Sequence, residues 1–251
     1  MLFRFELILK CEKNFASYNM GSLMHGVLME RIQTEYADKL HEDGLKPFSQ
    51  YVLPCDEGMK WTVNCLNDEC AEQFDRAFIH GSGSIFLKSK DMELDIVSRS
   101  MSSMSYKRLI ETSYFGEVSR FACIKFKTPC SFKNDGKYMI FPDVGMIYSN
   151  LMRKFDEFSG EYSMYDGNMF RSLVEKTAVT SYNLRSSVYH LESVRIPSFM
   201  GKITVKNSGP AQLGNLVRLL FAFGEYSGVG VKTALGMGAV EREEVKNIAK
   251  R

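Results

Sequence analysis

Charged and apolar residues alternate across residues 2–9, the period-two pattern of a half-buried strand. From Met20 the apolar positions change to Leu23, Met24, Val27, Leu28 and Ile32, a helical spacing that predicts a helix to about residue 40. Gly44 and Pro47 break the chain after it. Residues 48–53 and 59–66 read as strands, joined by a turn at Asp56-Glu57-Gly58. Asn67 or Asp68 can cap a second helix that puts Cys70, Ala71, Phe74 and Phe78 on one face. Gly81 and Gly83 end it, and residues 85–97 follow with strand character. Residues 82–84 and 100–105 read as flexible loop, with Met101 and Met104 in local packing.

The pattern restarts near Gly116. Residues 121–128 are strand-like and Pro129 limits them. Asp143 caps a helix with Val144, Ile147, Leu151 and Phe155 on one face. Residues 159–168 are polar and turn-rich, and residues 189–205 read as a strand pair interrupted at Pro197. Pro210 suits the first turn of a helix carrying Leu213, Leu216, Val217 and Leu220 toward a core. A last strand is expected over residues 237–242. Each half thus reads β-α-β-β-α-β, a ferredoxin-like order. The expected fold class is α+β, with two tandem ferredoxin-like domains of the RRM type, residues 1–118 and 119–251.

A chain of 251 residues with 45% hydrophobic and 25% charged residues suits two modest cores. Its apolar runs are too short to span a membrane, and its charged N-terminus is not a signal peptide. The expectation is a cytoplasmic protein with no membrane partner. Six cysteines form no C-x-x-C pair, the four histidines show no H-x-x-x-H spacing, and no metal or cofactor is expected. The net charge of +2 hides an asymmetry. Residues 1–118 carry 13 Lys and Arg against 18 Asp and Glu, whereas residues 119–251 carry 19 against 12. The second half, net +7, is the one suited to a polyanion.

That half contains the most distinctive run, Ser227-Gly228-Val229-Gly230-Val231-Lys232-Thr233-Ala234-Leu235-Gly236-Met237-Gly238. Two Gly-x-Gly pairs flank a cation and a hydroxyl, a composition that can present backbone N–H groups to phosphate. It is not a P-loop, because Val231 rather than glycine precedes Lys232-Thr233. It is not the dinucleotide fingerprint either, since Thr233 occupies the third glycine position and a helix precedes the run. By residue chemistry alone, a turn whose glycines only permit close packing remains an equal alternative.

Two segments together carry a family resemblance. One runs Lys39-Leu40-His41-Glu42-Asp43-Gly44-Leu45-Lys46-Pro47-Phe48-Ser49-Gln50-Tyr51; the other is the glycine run with its lead-in Phe223-Gly224-Glu225-Tyr226. The chain resembles the CRISPR-associated endoribonucleases that process precursor CRISPR RNA, a family of the RAMP superfamily whose hallmark is a C-terminal G-x-G…G-x-G loop. Gly228, Gly230, Gly236 and Gly238 match that loop. The segments Ile124-Lys125-Phe126-Lys127-Thr128-Pro129 and Phe141-Pro142-Asp143 also look like the family.

The resemblance implies metal-independent cleavage of CRISPR repeat RNA by 2′-hydroxyl attack, leaving a 2′,3′-cyclic phosphate and a 5′-hydroxyl. Such chemistry needs a base, an acid and cations at the phosphorane. His41 matches the catalytic histidine region, His25 lies where some members place a second histidine, and Lys46 resembles lysines that stabilise the pentavalent phosphate. Lys232 and Thr233, with the four glycines, are expected to contact the RNA backbone. Met29 stands where some members carry a tyrosine, so a tyrosine-dependent route is not implied. His80 and His190 match no motif. The two histidines are sixteen residues apart, roughly 24 Å along a straight helix. They can share one phosphate only if the chain turns back between them. A non-catalytic RAMP subunit that binds crRNA, and an unrelated enzyme on the same fold, remain open. So do a homodimer and association with other Cas effector subunits.

Overall fold

The computed structural model describes residues 1–12, 15–42, 44–81, 83–116, 119–191 and 194–245. Strand β1 (Leu2–Lys10) alternates as expected, burying Phe5, Leu7 and Leu9 on one side. A 3₁₀ turn (Tyr18–Met20) leads into helix α1 (Gly21–Arg31), and α2 (Thr34–His41) follows. Strands β2 (Phe48–Cys55) and β3 (Gly58–Cys65) form the expected hairpin. In α3 (Asp68–Phe74) the Asn67 side chain accepts the Cys70 N–H at 2.9 Å, and a π turn (Asp75–Ile79) extends the helix. Strands β4 (Ser84–Leu87) and β5 (Met92–Met104) complete a sheet ordered β2-β3-β1-β5-β4.

After α4 (Tyr106–Ser113), β6 (Phe121–Cys130) opens the second sheet and a small hairpin, β7 (Phe132–Asn134) and β8 (Lys137–Met139), branches from it. Helices α5 (Val144–Phe158) and α6 (Gly167–Lys176) precede the long hairpin β9 (Thr177–Leu191) and β10 (Val194–Asn207). Helix α7 (Ala211–Ser227), a 3₁₀ turn (Thr233–Leu235) and β11 (Val240–Glu243) close the chain. The order β11-β6-β10-β9 matches that of β5, β1, β3 and β2, and all pairs are antiparallel. Both halves therefore have the expected ferredoxin-like arrangement within an α+β fold. The boundary expected between residues 118 and 119 falls beside residues 117–118, outside the described residues.

Several expectations change. The helix expected over residues 20–40 is two helices, because Ile32 takes extended backbone (ψ 164°) and is itself buried. Burying Ile32 at the corner redirects the chain, and Gln73 braces Gln33 through its Nε2 at 2.9 Å. The strand expected over residues 85–97 is a hairpin, turned at Lys88–Lys90 with Asp91 left-handed at φ 47°. Residues 100–104 are not loop: β1 pairs with them, and Ser105 caps α4 through the Arg108 N–H at 3.0 Å. Met101 is exposed rather than packed, while Met104 packs against the second core. Ser82 lies outside the described residues. Pro129 and Pro197 sit inside strands. Pro197 lies beyond the last β10–β6 pair, Phe199 with Cys130, so on that side it interrupts no ladder. The turn-rich stretch gives way to α6 at Gly167, and β9 starts well before Tyr189.

The first core gathers around buried Trp61, whose ring meets Phe78 edge-on at 4.9 Å. The second gathers β6, β10, α5 and α7, and includes Leu2, Leu66, Tyr106 and Leu109 from the first half. Polar ties join the sheets at the C-terminal end of α7. Arg4 donates to Asn64 Oδ1 at 2.8 Å and to the Glu225 carbonyl at 2.6 Å, and its guanidinium covers the Tyr226 ring at 4.8 Å. The Ser49 hydroxyl donates to the Tyr226 carbonyl at 2.5 Å. These contacts fix the origin of the glycine run against the first sheet.

Candidate active site

The glycine run leaves α7 and folds back on itself. Its backbone crosses other backbone so closely that side chains would not fit. At Gly238, φ is 67° and a Cβ would overlap the Val229 carbonyl oxygen; at Gly236 a Cβ would stand 2.9 Å from the Gly21 Cα. The N–H groups of three glycines are satisfied inside the fold. Gly228 donates to the Gly224 carbonyl at 2.9 Å, Gly230 to Asn150 Oδ1 at 3.0 Å, and Gly238 to the Pro129 carbonyl at 2.9 Å. All four glycines and Thr233 are buried, whereas Lys232, left-handed at φ 58°, is exposed. The glycines of Gly228, Gly230 and Gly238 thus shape the loop and do not aim those N–H groups outward. The side chain the loop presents is Lys232.

Three side chains from three elements hold the turn that follows. Lys154 of α5 donates to the Thr233 hydroxyl at 3.2 Å. Gln50 of β2 donates to the Ala234 carbonyl at 3.0 Å and to the Gly21 carbonyl at 2.6 Å, its own oxygen accepting the Trp61 N–H at 2.7 Å. Tyr189 of β9 donates to the Leu235 carbonyl.

This turn forms one wall of a cleft of about 540 Å³. Most of the rest of its lining comes from α1, α2, the segment after α2 and α5. His25, His41, Lys46, Asn150, Lys154 and Lys232 all line it. The break at Ile32 and Gln33 is what brings the two histidines to one cavity. A larger cleft of about 720 Å³ lies between β6, α7 and β11, lined by Arg218, Glu225, Arg242 and Glu243 among others, but the histidines are not there.

His25 is half-buried, its ring stacked on Phe48 at 6.0 Å and nearly parallel. Burial pushes its pKa from 6.5 down to about 4; the Ala234 backbone opposes this, and the charges of His41 and Lys46 add to it. Its imidazole is therefore neutral near pH 7. His41 is the last residue of α2 and is exposed. Lys46 curls back and donates to the Glu42 carbonyl, next to His41 in sequence. His80 pairs with Asp75 at 3.5 Å, and the His190 backbone N–H bonds Asn19; neither lines the cleft.

Lys154 escaped the sequence reading. It is buried, and burial lowers its pKa from 10.5 to about 7, with the Cys130 thiol acting the other way. The signal was present: Lys154 stands three residues after Leu151 and seven after Ile147, both on the core face of α5. A lysine at that spacing needs buried acceptors.

Comparison with known proteins places the chain. A family model described as CRISPR-associated endoribonuclease Cas6 matches residues 124–240, from β6 into β11. A Streptococcus thermophilus protein of that description is 32% identical over 229 residues, covering 89% of this chain and 91% of its own length. One from Mycobacterium tuberculosis is 27% identical, covering 88% and 71% respectively. Among solved structures, a product complex of a Thermus thermophilus Cas6 superposes with a TM-score of 0.81 at 25% identity, covering 97% of this chain and all of that one. With full-length similarity of this degree, and the glycine run and both sheets in place, the chain belongs to the Cas6 family of CRISPR-associated endoribonucleases.

Proposed function

We propose that this protein cleaves the repeat RNA of precursor CRISPR transcripts, without a metal, by attack of a 2′-hydroxyl on the adjacent phosphate. The observation that carries this reading is the meeting of His25, His41, Lys46 and Lys232 at one cleft. His25, neutral near pH 7, accepts the 2′-hydroxyl proton. The 2′-oxygen bonds to phosphorus, the bond to the 5′-oxygen breaks, and His41 donates a proton to that leaving oxygen. Lys46 offsets the negative charge that grows on the phosphorane, as a point cation can. Lys232 contacts the RNA backbone from the glycine run. An incoming phosphate would also raise the basicity of His25, because an anion favours the protonated ring. The products are a 2′,3′-cyclic phosphate and a 5′-hydroxyl, and the trimmed RNA is the mature guide.

Incubation of the purified protein with its cognate repeat RNA in excess EDTA tests the proposal. Cleavage at a single site is expected. Tight binding with intact RNA would instead favour a non-catalytic subunit that holds crRNA.

A further inference from the structure

We infer that Lys154 is a positioning residue of the cleavage site: from beneath the glycine run it fastens the run's entry to its 3₁₀ turn, and so sets where Lys232 and Ala234 stand against His25. This rests on the cleavage reading above.

The protonated Lys154 amine has three N–H donors, and three acceptors stand within reach of them. Lys154 Nζ lies 2.9 Å from the Ser227 carbonyl, 3.1 Å from the Gly228 carbonyl and 3.2 Å from the Thr233 hydroxyl. The first two acceptors are where α7 ends; the third begins the turn. Four residues separate Gly228 from Thr233, and Lys232 is the one just before the fastened hydroxyl. Ala234, just after it, is the residue whose backbone acts on His25. A single buried amine therefore sets both ends of the segment that carries the exposed lysine and abuts the histidine. Lys154 lines the cleft but is buried, and its N–H groups are engaged within the fold, so it offers RNA no free donor.

The arrangement is a demanding one for stability alone. A buried ammonium without a carboxylate partner is costly, and an apolar residue of similar volume would fill the space without that cost. What an apolar residue cannot do is hold two carbonyls and a hydroxyl in register. Asn150, one helical turn earlier on α5, serves the same segment by accepting the Gly230 N–H at 3.0 Å. Helix α5 thus presents two polar side chains to the underside of the run.

The test is Lys154→Met in the full chain, read in two ways. Single-turnover cleavage of the repeat RNA should fall by about 10- to 100-fold, the scale expected when catalytic groups are displaced by an ångström or so. Independently, NMR titration of His25 without RNA should show its pKa moved from the wild-type value. Burial is the largest influence on that titration; beside it act the Ala234 backbone, His41 and Lys46, and of these three only the first belongs to the run. A folded variant in which the His25 titration is unmoved overturns the inference, whatever the rate does. Should Lys154→Met fail to fold, Thr233→Val removes one of the three acceptors at nearly constant volume. It should move both readouts in the same direction, by a smaller factor, and an unmoved His25 titration again overturns the inference. Wild-type protein that cleaves nothing would refute the cleavage proposal alone, because the titration still reports on the run.

Discussion

A histidine held neutral by burial has a consequence for stability as well as for chemistry. His25 titrates at about 4 in the folded chain against 6.5 when unperturbed. As pH falls below 6.5 the unfolded chain takes up the proton first, so the folded state loses stability through that window until the folded histidine titrates too. The loss should approach about 3 kcal/mol by pH 4. Urea denaturation of wild type and His25→Asn at pH 7 and at pH 4.5 checks it. The wild type should lose stability over this interval by more than the variant does, by roughly 2 kcal/mol. Equal losses would show that His25 is not held neutral by its surroundings. The identities of the catalytic candidates were legible in the sequence, since histidines and lysines of this chemistry stand out. Their environment was not. Nothing local to residues 20–30 announces that Phe48 stacks on His25 or that Ala234 abuts it, because those neighbours arrive from other elements.

Elements decide whether the residues meet. Strands β1, β2 and β3 and the caps at Asn67 and Asp143 follow directly from alternation and capping chemistry. The break at Ile32 does not, because Ile32 fits the helical stripe and is still buried after the helix ends. Periodicity reports which face is apolar, not where the chain bends while keeping that face covered. The serines of β5 misled for a related reason: their strand character comes from pairing with β1, which local composition does not reveal. In the glycine run, both packing and chemistry were open to the sequence, and the structure assigns close packing to the glycines while leaving Lys232 exposed. Gly238→Ala is the sharpest probe of that packing. The added methyl meets the Val229 carbonyl at a left-handed φ, so stability should drop by at least about 2 kcal/mol. Thermal denaturation checks it, and a loss below about 0.5 kcal/mol would mean that the run yields easily.

At the scale of the molecule, the cleft is built from both halves. The acidic half supplies the histidines and Lys46, the basic half supplies Lys154 and Lys232, and the two sheets must hold a fixed relation for these residues to line one cleft. Arg4 is central to that relation, reaching from β1 to Asn64, to the Glu225 carbonyl and over Tyr226. Because Leu2, Leu66 and Ala234 each pack into the core of the other half, the chain should unfold in one transition. Arg4→Ala should lower its stability by about 1–3 kcal/mol, through lost charged hydrogen bonds. Calorimetry resolving two separate transitions in the wild type would contradict this coupling. No helix among the described residues is long and apolar enough to cross a membrane.

The most direct test of the account compares wild type with a His25→Ala/His41→Ala double variant on the cognate repeat RNA in EDTA, mapping both new ends. The account predicts a 2′,3′-cyclic phosphate and a 5′-hydroxyl from the wild type, and a rate at least 10²-fold lower from a folded double variant that still binds the RNA. Undiminished cleavage by the double variant, or ends bearing a 5′-phosphate, would contradict it.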